Sequence, residues 1–499
     1  MRVRAASAFL LLAVLALAAA CFSMRKSSGG GQTTFSGRRT VRPEDVALPE
    51  GYRIEAVAEG LTFPTGVAFD DSGRAFVVES GYSYGEVWTT PRLLRVESGG
   101  RTSVVATGED NGPWNGVAFS RGSFYVAEGG ERRGGAILKI SADGKIARLV
   151  EGLPSLGDHH TDGPAVAPDG TIYFGQGTAT NSAVVGVDNA QFGWLKRHPD
   201  FHDIPCRDVT LAGRNFSSEN PLQPGSAAKV ETGAFSPFGT PTRAGQVIRG
   251  EVPCNGAILR VSPEGGKPEL VAWGFRNPFG LAFAPDGQLY VTENAFDVRG
   301  SRPVFGTGDV LWAVRPGLWY GWPDYHAGRR LDIPGRFTAP GKPVPVPLLA
   351  TPPNEPPHPA AILGVHSSSN GFDFSRNPAF GDVGDAFIAQ FGDMAPNVGK
   401  TTSPVGFKIV RVTVADGLVR DFAANKGTAN GPASRVGSGG LERPVAARFT
   451  PDGTALYVVD FGVLTMGGRG PEPRERTGVL WRITRAGGGG ERRKAGGGA

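Results

Sequence analysis

A short pattern that returns six times leaves this 499-residue chain few folds to choose from. Each copy reads as an apolar strand, a tight turn of the Pro-Asp-Gly type, and a second strand of alternating β-branched and aromatic residues. The copies are GVAFDDSGRAFVVES (66–80), GVAFSRGSFYVAEGG (116–130), GPAVAPDGTIYFGQG (163–177), GLAFAPDGQLYVTEN (280–294), GFDFSRNPAFGDVGDAFIAQF (371–391) and AARFTPDGTALYVVDFG (446–462). A third strand follows most of them, beginning at Leu93, Ile137, Ile258, Val310, Ile409 and Val479, and a fourth precedes several, beginning at Tyr52, Ala147, Glu269 and Val419. Four antiparallel strands per unit, at a spacing of about fifty residues, mark a β-propeller, whose radial repetition leaves only short sheet edges. The sequence therefore predicts an all-β chain folded as a six-bladed β-propeller, with an open sandwich as the plainer alternative. The strand at Tyr52 has no copy of the pattern before it, and the last strand, VLWRITR, lacks a fourth beside it. The first strand is thus free to complete the last blade and close the ring.

The ends are of another character. Arg2 and Arg4 precede an apolar run from Ala5 to Ala20 that is too short for an ordinary membrane span and ends in alanines before Cys21. Residues 1–21 read as a secretion signal. Cys21 is a candidate lipidated cysteine, with simple cleavage near the same alanines as the alternative, so an exported protein is expected, periplasmic or at the cell surface, touching a membrane only through that anchor. Residues 22–45 are rich in Ser, Gly and Arg and read as a flexible linker, and residues 486–499 as a disordered tail. The formal charge of +5 belongs to these ends, because residues 1–21 carry +2, residues 22–45 carry +3 and residues 486–499 carry +2, leaving −2 for 46–485. A body without a basic face excludes nucleic-acid binding as the expected role. Cys206 and Cys254 are the other cysteines, and in an oxidising compartment they are expected to form a disulfide.

If the first two strands of each blade run antiparallel, the segment entering a repeat and the segment leaving its second strand share one face. The long irregular stretches fall there: 178–255, 295–308, 323–366 (read as preceding the first strand of blade five) and 463–477. Insertions gathered on one face of a rigid frame are where binding and catalysis are expected. Glu79, Glu128, Gln176, Glu293, Gln390 and Asp460 stand where the second strands exit. Such a ring could hold Ca²⁺, with Glu79, Glu128, Glu293 and Asp460 as ligands, or accept hydrogen bonds from backbone amides of neighbouring blades. The entering segments add His159, Arg276, Asn277 and Arg443, groups suited to proton abstraction beside an anionic ligand. Taken alone, His159 reads equally well as a hydrogen-bonded histidine linking blades.

Three stretches resemble the glucose/sorbosone dehydrogenase family of soluble PQQ-dependent sugar dehydrogenases. They are DHHTDGPAVAPDGTIYFGQG, WGFRNPFGLAFAPDGQLYVTEN and GDVLWAVRPGLWYGWPDYHAG, and with the repeats the likeness covers about residues 50–485. The resemblance implies a six-bladed propeller, PQQ and Ca²⁺ as cofactors, and oxidation of a sugar or polyol. It implies His159 as the base that takes the hydroxyl proton, and Arg276, Asn277 and Arg443 as cofactor ligands. A separate electron acceptor is expected, since no Cys-x-x-Cys-His haem attachment occurs. The chain departs from the family at Thr178, where an aspartate would orient the histidine, at Gln390-Phe391-Gly392-Asp393, where a lysine would stand, and in the loop NAFDVRGSRPVFGTGD, where the family has an acidic calcium loop. Two other functions stay open: a metal-dependent lactonase-type hydrolase using the ring of carboxylates, and a non-catalytic propeller that docks carbohydrate or protein.

Overall fold

The computed structural model describes residues 35–486 apart from 191, 192, 224, 226, 227, 400, 468 and 469. The signal segment 1–21, the candidate lipidation site Cys21, linker residues 22–34 and tail residues 487–499 lie outside the described residues. No described helix is long and apolar enough to cross a membrane.

Six antiparallel sheets form a six-bladed β-propeller. From the axis outward, blade one is Pro64–Phe69, Ala75–Glu79, Arg92–Val96 and Thr102–Thr107. Blades two to five begin on Trp114–Ser120, Thr161–Val166, Asn277–Phe283 and Ser369–Phe374, and blade six on Pro444–Phe449. Each of these innermost strands packs on the next, and the sixth returns to the first. The ring closes as expected: Tyr52–Leu61 pairs with Gly478–Arg485 as the outer strand of blade six.

The repeat explains itself in this geometry. In the fourth copy the Asp286 carboxylate accepts from the Gln288 amide, and Gly287 takes the left-handed conformation at φ 85° that a Cβ disfavours. The leading glycine answers to crowding at the axis, where a Cβ on Gly116 would stand 2.1 Å from the Gly163 carbonyl oxygen. Blades are covered on both faces, so strands such as Ala75–Glu79 and Ala455–Asp460 are buried at every position. Apolar side chains from adjacent blades interlock between them, with Trp114, Phe124, Val78 and Leu93 joining blades one and two.

Two expectations about the chain's path are corrected. The end of the stretch 323–366 is the fourth strand of blade four, Ala361–Val365, paired with Gly308–Ala313. The insertion therefore leaves from the end of the third strand opposite the mouth. It climbs along the outer strand of blade three, where Trp319 bridges Trp273 in parallel, and reaches the 178–255 insertion, where Leu211 bridges Leu349. Buried Arg302, in the 295–308 loop, joins the two, donating to Asp324 at 2.9 Å and to the carbonyls of Pro323 and Val346 while its own carbonyl accepts from the Ser182 hydroxyl of the 178–255 insertion. The second correction concerns residues 35–45, which are not a free tether. Arg39 is buried and paired with Asp460 at 2.5 Å, and Val46–Ala47 adds a fifth strand to blade five. The expected disulfide is present between Cys206 and Cys254 and closes the insertion of blade three.

Candidate functional site

The polar residues that end the second strands do not form an ion site. Each turns back to the segment entering its own blade. Glu79 accepts from the Thr62 amide and from Arg92, Glu128 from the Trp114 indole and Asn111, and Glu293 from the Arg276 amide and the Trp312 indole. Asp460 accepts from the amides of Glu442 and Arg443 and from the Trp481 indole. Glu79, Glu128, Glu293 and Asp460 are thus latches, each spent within its own blade rather than between blades except that Asp460 also takes Arg39 from the N-terminal segment, and burial raises Glu293 to about 7. Among the described residues no group of three or more His, Cys, Asp or Glu side chains is arranged to hold a metal ion.

His159 lies in the crossing from blade two to blade three, and it is buried. The Asp158 amide binds the Ala179 carbonyl and the Thr178 amide binds the Arg276 carbonyl, which sets the Thr178 oxygens against the imidazole. Nδ1 stands 2.9 Å from the Thr178 carbonyl and 3.0 Å from its hydroxyl oxygen. That hydroxyl gives its proton to the Thr180 carbonyl, so both oxygens act as acceptors and Nδ1 must carry the ring proton. Nε2 is left with its lone pair. Burial, then the charges of Arg276 and Arg299, push the histidine well below its usual 6.5, so the ring is neutral at pH 7. The neighbouring His160 is committed elsewhere, with Nε2 2.8 Å from Glu131.

Two chambers meet at His159. A lateral one of about 160 Å³ is lined by His159, Arg276, Asn277, Asp297, Arg299 and His366, among others. An axial one of about 110 Å³ lies at the entering ends of the innermost strands of all six blades. Tyr84, His159, Asn277, Asn294, Ser368 and Met394 line both. In the lateral chamber Arg276 donates to Asp297 at 2.8 Å, to Asn181 and to the Asn294 carbonyl. Arg299 bridges Asp158, Asp188 and Asp297 at 2.5, 2.8 and 3.1 Å. Burial works to raise Asp297, but Arg276, His366 and Arg299 outweigh it and hold the carboxyl well below the usual carboxylate range. Asn277 donates to Asn294 at 3.0 Å, while its Oδ1 is buried without a partner.

The structure thus brings His159, Arg276 and Asn277 together and leaves Arg443 out. Arg443 is fully buried, and its guanidinium donates to the carbonyls of Phe391, Gly392, Asp393 and Leu464 between the rings of Phe391 and Phe407. Burial lowers it to about 10 against the opposing charges of Asp393, Glu442 and Asp460. It lines neither chamber, so the expectation that it binds a cofactor is corrected: its donors tie the loop after blade five to blade six. Sequence reasoning missed Arg299, Asp188 and Asp297 as one ionic cluster. Two of the three belong to the loop whose altered composition was the signal, but Asp188 comes from a different insertion.

No protein-family model matches the chain, and no curated protein matches it. Solved structures do. The holo form of the PQQ domain of a pyranose dehydrogenase from Coprinopsis cinerea is 14% identical, with a TM-score of 0.51 over 91% of this chain and all 100% of that one. A Trichoderma reesei structure of Carbohydrate-Active Enzymes Family AA12 is 16% identical, with a TM-score of 0.51 over 90% of this chain and 100% of that one. A glucose dehydrogenase is 18% identical, with a TM-score of 0.50 over 86% and 98%. At these identities the likeness shows the fold, and the fold is that of the dehydrogenases that the three sequence stretches resemble.

Proposed function

We propose that this chain is an exported oxidoreductase of the PQQ-dependent sugar dehydrogenase kind, which oxidises a CH–OH group of a sugar or polyol with His159 as base. One observation carries the reading: a neutral histidine, its Nδ1–H fixed on Thr178 so that the lone pair is on Nε2, in the wall shared by two chambers. That is the state a general base needs before it accepts a hydroxyl proton. The resulting imidazolium would have the Asp297 carboxylate near enough to favour it, since Asp297 already acts to raise the pKa of His159.

The walls of the lateral chamber fit a quinone that bears carboxylates. A guanidinium has five N–H donors, and Arg276 and Arg299 each engage the single Nε–H and one N–H of each Nη, which leaves the second N–H of each Nη for an anion. The unpartnered Asn277 Oδ1 is an acceptor for a ring N–H. Arg276, Arg299 and Asn277 would therefore hold the cofactor. When bound, the quinone supplies a two-electron acceptor for the hydride. Asp158, Asp188, Asp297 and Asp309 also line this chamber, so a trianionic cofactor would meet a wall with more carboxylates than guanidiniums. Ca²⁺, the companion ion that the resemblance implies, would offset this charge, but among the described residues no cluster is arranged to hold it, so it enters only as a variable of the test. A separate acceptor would then take the electrons. The hydrolase reading loses its support, because the carboxylates it needed are dispersed among the blades.

The test is a titration of the full-length chain with PQQ, with and without Ca²⁺, following the quinone absorption and then its reduction on adding sugar. Saturable binding is expected, weakened about tenfold or more in Arg276→Ala, whereas His159→Ala should bind the cofactor and lose sugar-dependent reduction. Absence of binding in the presence of calcium would sink the reading.

A further inference from the structure

The axial chamber holds a group for which the proton-transfer chemistry has no use. Asp162 is the second residue of the innermost strand of blade three and is 1% exposed. Its Oδ1 accepts from the Asn115 amide at 2.9 Å, and its Oδ2 is buried with no partner. Among the described residues no arginine or lysine lines this chamber. An ionised carboxylate there would carry the full cost of desolvation without a counter-charge. Burial accordingly pushes Asp162 well above the usual carboxylate range, with the Asn115 hydrogen bond opposing it, which favours the carboxylic acid, whose O–H on the unpartnered Oδ2 has nothing within the protein to donate to. A second open donor stands on the same wall. Asn370 is buried, and its side-chain Oδ1 accepts from the Ser368 hydroxyl, which leaves the amide N–H groups as donors for a ligand. Between these polar groups lie apolar rings, Phe279, Phe391 and Phe461, with Tyr82 and Tyr84 beside them.

Two neutral donors, no cation and aromatic walls describe a site for an uncharged polyhydroxylated ring. Hydroxyl oxygens accept from the donors, and the C–H face lies on the aromatic rings. A cavity of about 150 Å³ holds a benzene, so a chamber of about 110 Å³ takes one end of a sugar ring, and the rest extends past His159.

We propose that the axial chamber is a sugar subsite in which Asp162 presents its carboxyl O–H, and Asn370 its amide N–H, to hydroxyls of a neutral pyranose or polyol. Asp162 is then a specificity residue that holds the substrate while His159, in the shared wall, faces the hydroxyl to be deprotonated. An anionic sugar is rejected, because none of the described residues lining the chamber is an arginine or lysine that would neutralise a carboxylate. The inference rests on the oxidoreductase reading for the identity of the reacting end, but its test reads binding alone.

The probes are D-glucose, D-galactose, D-xylose, D-sorbitol and myo-inositol, with D-glucuronate as the anionic counterpart of glucose, measured by saturation-transfer NMR on the full-length chain. At least one neutral probe is expected to bind saturably, with D-glucuronate about tenfold weaker or more. Asp162→Leu should weaken the neutral probe about tenfold. Asp162→Asn, which keeps an acceptor for Asn115 and an N–H donor in place of the O–H, should stay within about threefold. Asn370→Ala supplies an independent loss should Asp162→Leu fail to fold. The subsite is overturned if no neutral probe binds, if D-glucuronate binds as tightly as glucose, or if Asp162→Leu and Asn370→Ala both bind like the wild type. Unchanged binding in those two variants, with His159-dependent turnover intact, removes the subsite and leaves the oxidoreductase reading standing. Asp162-dependent binding without turnover does the reverse.

Discussion

His159 carries its proton on Nδ1 because both oxygens it faces are acceptors, and burial beside Arg276 and Arg299 keeps the ring neutral. Two outcomes follow from that downward shift. In the acid range the base stays competent, so the rate of sugar-dependent quinone reduction should run level through pH 6.5 down to about pH 5.5, with no titration at the usual histidine position. A limb centred near 6.5 would mean that the imidazole is not buried as described. Stability should move the other way. Below pH 6.5 the unfolded chain binds a proton that the folded His159 refuses, so folding loses free energy as pH falls, by at most about 1.4 kcal/mol per pH unit until the folded pKa is reached. Against His159→Gln, which has no such proton, the wild type should lose relative stability between pH 7 and pH 5 in urea unfolding. A constant difference would contradict the shift.

Strand ends show what a repeat reveals and what it conceals. Periodicity marks where each second strand stops, so Glu79, Glu128, Glu293 and Asp460 were legible as a ring of equivalent positions. Their partners were not, because these depend on how the chain re-enters each blade, and the indoles and entering amides that they bind lie 14 to 21 residues away along it. The same limit applies to Arg443. Its place beside the mouth could be read, but whether the guanidinium turns to solvent or to carbonyls is set by the loop of blade five. Arg443→Met should therefore leave four buried carbonyls short of a donor and cost about 3 kcal/mol or more, while folded protein keeps its PQQ affinity. A tenfold loss of affinity at unchanged stability would restore Arg443 to the site. The disulfide was legible from compartment and spacing. Closing a separation of 48 residues, it should contribute roughly 4 kcal/mol by loop entropy. Cys206→Ala with Cys254→Ala should expose the hairpins at 209–248 to protease before the blades, and simultaneous loss of both would show that the insertion is not a separate unit.

Across the whole molecule the ring is held shut by its two ends, and only part of that closure could be read from the sequence. The strand Tyr52–Leu61 announced itself by lacking a repeat of its own, and it completes blade six as expected. Residues 35–45 did not, because composition rich in arginine and polar groups reads as tether. What fixes them is one partner 421 residues away, the Asp460 carboxylate, which is fully buried and meets Arg39 at 2.5 Å. Arg39 also donates to the carbonyls of Thr477 and Gly440, the Arg42 amide binds the Gly439 carbonyl, and Asp45 accepts from the Gly439 amide. A chain beginning at Val46 keeps every blade strand but leaves the Asp460 latch as a buried carboxylate without its cation. Removing one partner of such a pair costs about 3 to 5 kcal/mol. Urea unfolding followed by tryptophan fluorescence should thus place a chain starting at Phe35 level with the full-length protein and a chain starting at Val46 below it by that amount. Arg39→Met in the full-length chain should reproduce most of the loss. If the chain from Val46 proves as stable as the chain from Phe35, residues 35–45 are a tether after all, and the closing strand holds the ring alone.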